Sequence, residues 1–446
     1  MNSPTDAATQ RKANQFALLL QRRFGPFFLT QFCGAANDNL FKFAFTVLVT
    51  YQLSVNWLPP SLAGLVIGAL FILPFVLFSA TSGQLSDIYG HATLMRWVKN
   101  LEIIIMAIGA IGFVTHQVGV LLLCTFLMGL HSTLFGPVKF AYLPQVLQPH
   151  EITGGNGMVK MGTFVAILLG NVAGGLLVAI PSDLHTYVWV SCLALAALGR
   201  IASGFIPNIQ PINPTLSVNW NPLTETAHNL RLARANPMIF RTLLGISWMW
   251  FFGVIFLSQF PSFAKEVLHG DANVASLLLV LFSVGIGIGA LLCEGLSRDH
   301  ADIGLSPLGA LGMTLFAVDL ALASSHLPAS ELMSVYEFMA QPIHWRIMGD
   351  LVLLSLCAGI YNVPMYALIQ LESDRHECAR IMAANNIINS LFMVMSSILA
   401  GVMLGFGLTI PDIIFWTGIA NAVFTLGLFI AEPRYFKQLI ARIRST

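Results

Sequence analysis

Four polar residues lie close together in an otherwise apolar stretch near the start of the chain: Asn37, Asp38, Asn39 and Lys42. The stretch, residues 26–52, is long enough to cross a bilayer as a helix, and Asn39 is its midpoint. A charge at that depth costs roughly 2.5–3.5 kcal/mol on insertion scales, so it must face protein or water. Lys42 follows Asp38 by one turn, which allows a structural ion pair. Because an ion pair does not require two asparagines, a site for a head group or coupling ion is favoured.

Further polar side chains in apolar stretches extend this candidate substrate or coupling-ion site. Lys139 follows a helix-disturbing glycine-proline pair and could reach the membrane interface or contact a phosphate. Three asparagines within residues 385–389 share one helix face and suit helix packing or substrate contact equally well. Gln259 is the only strongly polar side chain of residues 247–259. The candidate site comprises Asn37, Asp38, Asn39, Lys42, Lys139, Gln259, Asn385, Asn386 and Asn389.

Motifs for other kinds of chemistry are missing from the sequence. Gly285, Gly287 and Gly289 alternate inside an apolar stretch with no strand before it, which indicates close helix packing rather than nucleotide binding. His376-Glu377 lacks the second histidine of a zinc motif. We therefore expect no catalytic residue, no cofactor, no metal and no P-loop pump. A net charge of +1 gives no reason to expect a nucleic-acid partner.

The composition indicates that membrane-spanning helices position these residues. Of the chain, 56% is hydrophobic and only 10% charged, whereas soluble domains have about 25% charged residues. The apolar residues form blocks of about 20, the length of a spanning helix. Twelve spans are predicted, at residues 26–52, 61–81, 97–115, 118–141, 159–180, 186–207, 240–260, 273–293, 305–324, 346–371, 381–405 and 411–432.

Lysine and arginine are distributed unevenly between the two sides of the predicted bundle. With a cytosolic N-terminus, nineteen of the 22 lysines and arginines fall on the cytosolic side. The opposite side keeps only Lys265 and Arg346, and Lys42 lies within the first span. Because positive charge accumulates on the cytosolic side, the bias predicts an even number of spans in a bacterial inner membrane, with both termini cytosolic.

An internal repeat divides the chain into two halves. The order of Gln145, His150-Glu151 and Asn156 after the fourth span recurs about 225 residues later, after the tenth. Two parallel six-helix halves hold substrate between them near mid-membrane in transporters of this build. The predicted divisions are a cytosolic N-terminal segment 1–25, an N-terminal six-helix half 26–207, a cytosolic linker 208–239, a C-terminal six-helix half 240–432 and a basic cytosolic tail 433–446.

The loop after the second predicted span carries Gly83, Asp87 and Gly90, with Arg96 beyond. This spacing resembles the cytosolic loop signature of the major facilitator superfamily. The glycines would permit a tight turn, and Asp87 would cap the next helix and pair with a base in one conformation only. These four residues are the predicted conformational-switch loop. In the second half the aspartate position is occupied by Arg298, so a latch there must work differently.

Four further blocks resemble the lysophospholipid transporter family over nearly the whole chain, and most closely its branch fused to an acyltransferase. The blocks are residues 28–42, 136–145, 258–268 and 383–386. The resemblance implies that lysophosphatidylethanolamine is flipped from the outer to the inner leaflet for reacylation. No acyltransferase region precedes Thr446, so a separate acyltransferase is the expected partner. Standalone members carry an arginine in the seventh span. In this sequence the corresponding residues 247–259 are uncharged, so it stays open how that helix would hold a phosphate.

The sequence thus predicts an all-α membrane protein with the major facilitator fold and twelve transmembrane helices in two six-helix halves. Its expected function is secondary transport of lysophospholipid, with lysophospholipid and membrane lipid as partners. The alternative is a major-facilitator exporter of small amphipathic molecules. A membrane-embedded lipid enzyme is disfavoured because no histidine-aspartate or serine catalytic set stands at one membrane face.

Overall fold

The computed structural model describes residues 15–51, 53, 58, 60–180, 185–297, 302–325, 327 and 331–444. The first six helices are α1 (Gly25–Tyr51), α2 (Pro60–Ile88), α3 (His91–Val114), α4 (Val118–Val146), α5 (Ile152–Ala179) and α6 (Thr186–Gly204). The others are α7 (Pro222–Ala235), α8 (Pro237–Ser262), α9 (Ala272–Leu296), α10 (Leu305–Ser324), α11 (Val335–Ala340), α12 (Pro342–Glu372), α13 (Cys378–Gly405), α14 (Ile410–Ala431) and α15 (Arg434–Arg444).

Twelve of these helices are long, and α7, α11 and α15 are short connecting or terminal helices. Eleven of the twelve are long and apolar enough to cross a membrane. The remaining one, α1, has 27 residues, and its lower hydropathy comes from Asn37, Asp38, Asn39 and Lys42. It packs against α5 and α6 inside the first half. The predicted all-α fold of twelve membrane helices in two six-helix halves is confirmed.

Several helices extend beyond the apolar blocks that predicted them. The second predicted span, 61–81, continues as α2 to Ile88, and the third, 97–115, already begins at His91 in α3. Hydropathy marks the part of a helix in hydrocarbon, whereas backbone hydrogen bonding continues beyond it. Residues predicted as a loop after the second span are therefore mostly helical, and only Tyr89 and Gly90 connect α2 to α3.

Close helix packing within each half depends on glycine. A Cβ at Gly174 on α5 would lie 2.6 Å from the Leu40 carbonyl oxygen of α1. In the second half, a Cβ at Gly289 on α9 would lie 2.0 Å from the Leu356 carbonyl oxygen of α12, which confirms the packing interpretation of that glycine run. Small residues let helix backbones approach in this way. By contrast, a Cβ at Gly401 on α13 would meet nothing within 4 Å, so this glycine is not required for close helix packing.

The two halves contact each other mainly through α5 with α9, and α2 and α4 with α13. Some of these contacts lie at the end of the bundle that carries Arg23, Arg96 and Arg380. We call this end the basic end. There the Asn156 side chain donates a 2.5 Å hydrogen bond to the Gln370 side chain. Asn156 belongs to the first copy of the repeat and Gln370 to the second, so the duplicated segments meet across the interface.

Candidate functional site

A cavity of about 390 Å³ lies between the two halves, within the size range of small-ligand sites. One part of its wall is polar or charged: Asp38, Asn39, Lys42, Lys99, His131, Ser132, Lys139, Lys160, Asn386 and Asn389. Another part is apolar: Phe71, Phe75, Phe135, Phe140, Trp250, Val254, Leu257 and Met393. The cavity therefore combines a charged patch with an aromatic and aliphatic surface. Among the described residues, no cluster of histidine, cysteine or acidic side chains could hold a metal ion.

Asp38 faces this cavity from the middle of α1. Its Oδ2 accepts a 2.5 Å hydrogen bond from the Ser132 hydroxyl on α4. The other carboxyl oxygen, Oδ1, is buried and has no hydrogen-bond partner in the described structure. A buried carboxylate oxygen without a donor is unfavourable.

Lys42 does not form the direct ion pair that its spacing allows. Its Nζ lies 3.8 Å from the centre of the Phe71 ring on α2, in a cation–π contact. No carboxylate oxygen of the described residues, including those of Asp38, lies within 4.0 Å of it. The two charged residues thus line the same cavity without a direct contact between them.

The structure brings six of the nine predicted site residues to the cavity wall and leaves three outside it. The six are Asp38, Asn39, Lys42, Lys139, Asn386 and Asn389. Of the others, Asn37 turns away from the cavity and donates to Glu102 at 2.7 Å. Asn385 donates to the Tyr366 hydroxyl at 3.3 Å, and Gln259 is buried in α8 away from the cavity wall.

The asparagines of α13 have different partners despite their common spacing. Asn389 accepts a 2.7 Å hydrogen bond from the Ser247 hydroxyl of α8. Asn386 approaches α4 so closely that a Cβ at Gly136 would lie 2.4 Å from its Nδ2. That Nδ2 is buried without a hydrogen-bond partner among the described residues.

A buried charge cluster, which the sequence did not indicate, contacts α1 on the side that faces α3 and α4. Glu102 on α3 is fully buried and pairs with Lys99 at 2.6 Å. Its carboxylate also lies 3.2 Å from His131 Nε2 on α4 and accepts the Asn37 amide. Glu102 lies near the start of the third predicted span, 97–115, and was not among the predicted site residues. The three-residue spacing of Lys99 and Glu102 is the sequence feature that could have predicted their ion pair, because residues three apart are neighbours on a helix.

Three lysines that were counted as cytosolic-side charges lie inside the protein. Lys99, Lys139 and Lys160 all line the cavity, and Lys160 is only 7% exposed. They stand on α3, α4 and α5, whose ends extend beyond the apolar blocks. Arginines such as Arg96 and Arg380 still mark the basic end, so the charge bias persists without these lysines.

The predicted switch residues lie at the basic end, where Asp87 joins the halves. Its Oδ2 lies 3.2 Å from Arg380 Nε on α13, and Asp87 is 2% exposed. Arg380 also contacts His228 of α7 at 3.1 Å. Asp87 does not cap α3, whose N-cap residue is Gly90 without a side-chain hydrogen bond. The capping prediction was wrong because α2 continues through Asp87 and directs it across the interface.

The glycines of this segment serve close packing rather than a tight turn. Gly90 has a φ of −55°, which any residue adopts, but a Cβ there would lie 2.5 Å from the Ile209 carbonyl oxygen. A Cβ at Gly83 would lie 3.2 Å from the Arg380 Cα. Arg96 binds the carbonyl oxygens at the end of α6, including that of Ile206 at 2.7 Å. The predicted second-half equivalent, Arg298, lies outside the described residues.

Comparisons with known proteins agree on the family. A family model described as Major Facilitator Superfamily matches residues 27–397. The lysophospholipid transporter LplT of Enterobacter sp. (strain 638) is 25% identical over 412 residues, covering 91% of this chain and 94% of that protein. LplT of Escherichia fergusonii is 27% identical over 354 residues, covering 77% and 78%.

Solved structures share the fold at low sequence identity. The human organic anion transporter MFSD10 (TETRAN) superposes with a TM-score of 0.71 at 12% identity, covering 92% of this chain and 99% of that one. The transporter FucP in its outward conformation gives a TM-score of 0.69 at 12% identity, with coverage of 92% and 98%. Since the family model spans most of the sequence and the helical architecture agrees, the chain belongs to the major facilitator superfamily.

Proposed function

We propose that this chain is a secondary transporter of lysophospholipid, with lysophosphatidylethanolamine as its substrate, moved from the outer to the inner leaflet of the bacterial inner membrane. Support comes from the relatives named lysophospholipid transporters, which this chain matches over most of its length. In this proposal a separate acyltransferase reacylates the delivered single-chain lipid and is the chain's functional partner.

The two-sided cavity is the observation that carries this proposal. A lysophospholipid has one acyl chain and a charged head, so its carrier must receive both in one site. The charged patch around Asp38, Lys139 and Lys160 suits the head, and the apolar surface around Phe75 and Leu257 suits the chain. Because the acyl chain arrives from the hydrocarbon of the outer leaflet, the apolar wall would keep it out of water during transport, where exposure would cost about 0.8 kcal/mol for each CH₂.

Competition between lipids tests the substrate class. We expect other single-chain phospholipids to compete with labelled lysophosphatidylethanolamine for uptake into proteoliposomes. Diacyl phosphatidylethanolamine should compete poorly because its second chain does not fit, and glycerophosphoethanolamine poorly because it lacks the acyl chain. Efficient competition by glycerophosphoethanolamine, with no effect of the chain, would instead identify a carrier of small soluble molecules.

The orientation follows from charge in the same proposal. Because positive charge is retained on the cytosolic side, the basic end would face the cytosol, together with both termini. The Asp87–Arg380 contact would then close the cavity toward the cytosol, and its release would open that side. The described conformation would be the one that loads substrate from the outer leaflet.

Thiol labelling from either side tests orientation and switch together. In a cysteine-free background, Ile72→Cys places a thiol on the cavity wall. An impermeant maleimide should label it faster in spheroplasts than in inverted vesicles.

Adding Asp87→Asn weakens the contact with Arg380 and should increase labelling severalfold in inverted vesicles. Asp271→Asn, at an exposed helix cap, is the matched control without effect. Faster labelling of the Ile72→Cys protein in inverted vesicles would contradict the orientation.

A further inference from the structure

Two cavity lysines have no acidic partner within the described part of the chain. Lys160 on α5 is 7% exposed, and its Nζ lies 4.9 Å from the ring centres of both Trp250 and Tyr366. Lys139 on α4 lies with its Nζ 4.8 Å from the Phe140 ring centre. Neither ammonium is within 4.0 Å of a described carboxylate oxygen.

The aromatic rings bring these two cations to one place between the halves. Phe140 of the first half stacks on Tyr366 of the second half, with ring centres 4.5 Å apart and planes 17° from parallel. Lys139 contacts one ring of this pair and Lys160 the other. Trp250 on α8 adds a third ring beside Lys160. The lysines are therefore held at the junction where both halves contribute to the cavity.

Lys160 is buried and Lys139 half-buried, and aromatic faces alone do not compensate ammonium groups that are withdrawn from water. Cation–π contacts offset part of the desolvation cost, but a buried cation is stable only when negative charge and acceptors are near. Lys99 illustrates the satisfied case, because Glu102 lies 2.6 Å from its Nζ. Lys139 and Lys160 lack such a partner among the described residues, so the counter-charge would come from a ligand.

The neighbouring amide also lacks an acceptor. Asn386 Nδ2 is buried without a hydrogen-bond partner in the part of the chain that the structure describes, and it lies beside Gly136, three residues before Lys139. Asn386 and both lysines line the same cavity. Three donors, two of them cationic, match the oxygens of a phosphate, which accept several charge-assisted hydrogen bonds at once.

We propose that Lys139, Lys160 and Asn386 bind the phosphodiester of the lysophospholipid head group. This inference rests on the proposed function and extends it by assigning the phosphate to α4, α5 and α13. It explains how a phosphate is held although residues 247–259 of α8 carry no charge. Asp38, on α1, would then be left for the ammonium of the same head group.

The test measures ligand-induced thermal stabilisation of the purified, detergent-solubilised protein and of its Lys160→Gln and Lys139→Gln variants. The ligands are lysophosphatidylethanolamine, glycerophosphoethanolamine, inorganic phosphate and a monoacylglycerol of the same chain length. Each variant should bind lysophosphatidylethanolamine on the order of tenfold more weakly, the loss expected for one charge-assisted contact. Monoacylglycerol, which lacks a phosphate, should bind all proteins equally. Lys265→Gln, at an exposed position, is the control and should bind like the unmodified protein.

The melting temperature without ligand separates a binding role from a structural one. Because Lys160 lacks a described partner, Lys160→Gln should keep or raise that temperature, and Lys160→Arg should retain most of the phosphate-dependent affinity. A lower melting temperature with equal loss of monoacylglycerol binding would overturn the proposal, as would unchanged affinity for lysophosphatidylethanolamine. Lysine-dependent stabilisation by inorganic phosphate alone would assign the site to free phosphate and overturn the lipid assignment. Lysine-dependent binding of lysophosphatidylethanolamine without its transport would uphold the phosphate site while refuting the proposed function.

Discussion

Asp38→Asn is expected to reduce lysophospholipid uptake roughly ten- to a hundredfold while leaving the amount of protein in the membrane close to normal. The substitution keeps the shape of the side chain and removes its charge. A charge-assisted hydrogen bond contributes about 1.5–3 kcal/mol, which corresponds to that range of affinity. Initial uptake rates, normalised to protein quantified by immunoblot, measure the effect.

The partner variant separates a functional carboxylate from a structural ion pair. If Asp38 only neutralised Lys42, Asp38→Asn would leave an unpaired ammonium and lower the yield, and adding Lys42→Met would restore yield and transport. Because Lys42 Nζ rests on Phe71 rather than on the carboxylate, we expect the double variant to remain inactive. Recovered transport in the double variant would defeat the assignment of Asp38 to the substrate or coupling-ion site.

Glu102→Gln is expected to destabilise the protein by about 3–5 kcal/mol, the cost of removing one partner from a buried ion pair. The Lys99 ammonium would remain 1% exposed without a counter-charge. The Asn37 amide could still donate to the new side chain, so the loss would reflect charge rather than shape. Thermal unfolding in detergent, followed by tryptophan fluorescence, measures the shift.

Two comparisons make the Glu102 result specific. Adding Lys99→Met to Glu102→Gln should recover most of the lost stability because no buried charge is then unpaired. Asp319→Asn is the matched control, because Asp319 pairs with Arg346 at an exposed site, where ion pairs contribute little. Equal melting temperatures for Glu102→Gln and Asp319→Asn would show that the cluster behind α1 does not stabilise the bundle.

Hydropathy predicted the twelve helices because it depends on residues that are near each other in sequence, and the internal repeat predicted the two halves because it compares the sequence only with itself. The polar residues of α1 were also predicted from neighbours in sequence, and two of them, Asp38 and Lys42, do line the cavity. The sequence spacing of Asp38 and Lys42 could not reveal which residues of other helices contact them. Ser132 and Phe71 are their actual contacts, and these come from α4 and α2.

Several residues near the ends of apolar blocks were misassigned from the sequence. Glu102, Lys99 and Lys160 all lie close to the start of a predicted span, and none of them was among the predicted site residues. Their helices continue past the boundary and are covered by neighbouring helices, which bury the charges. Asp87 was misassigned as a helix cap for the same reason, since its true partner, Arg380, is 293 residues away in sequence.

Transport of lysophosphatidylethanolamine by the purified chain in liposomes tests the central claim most directly. Labelled lipid is added to the outer leaflet, and the fraction that albumin can no longer extract is followed with time, with and without ion gradients. We predict that protection develops faster than in protein-free liposomes, and that Asp38→Asn reduces the rate nearly to that background. Protection at the protein-free rate under every gradient, by protein that is folded in the same liposomes, would contradict the assignment of this chain as a lysophospholipid transporter.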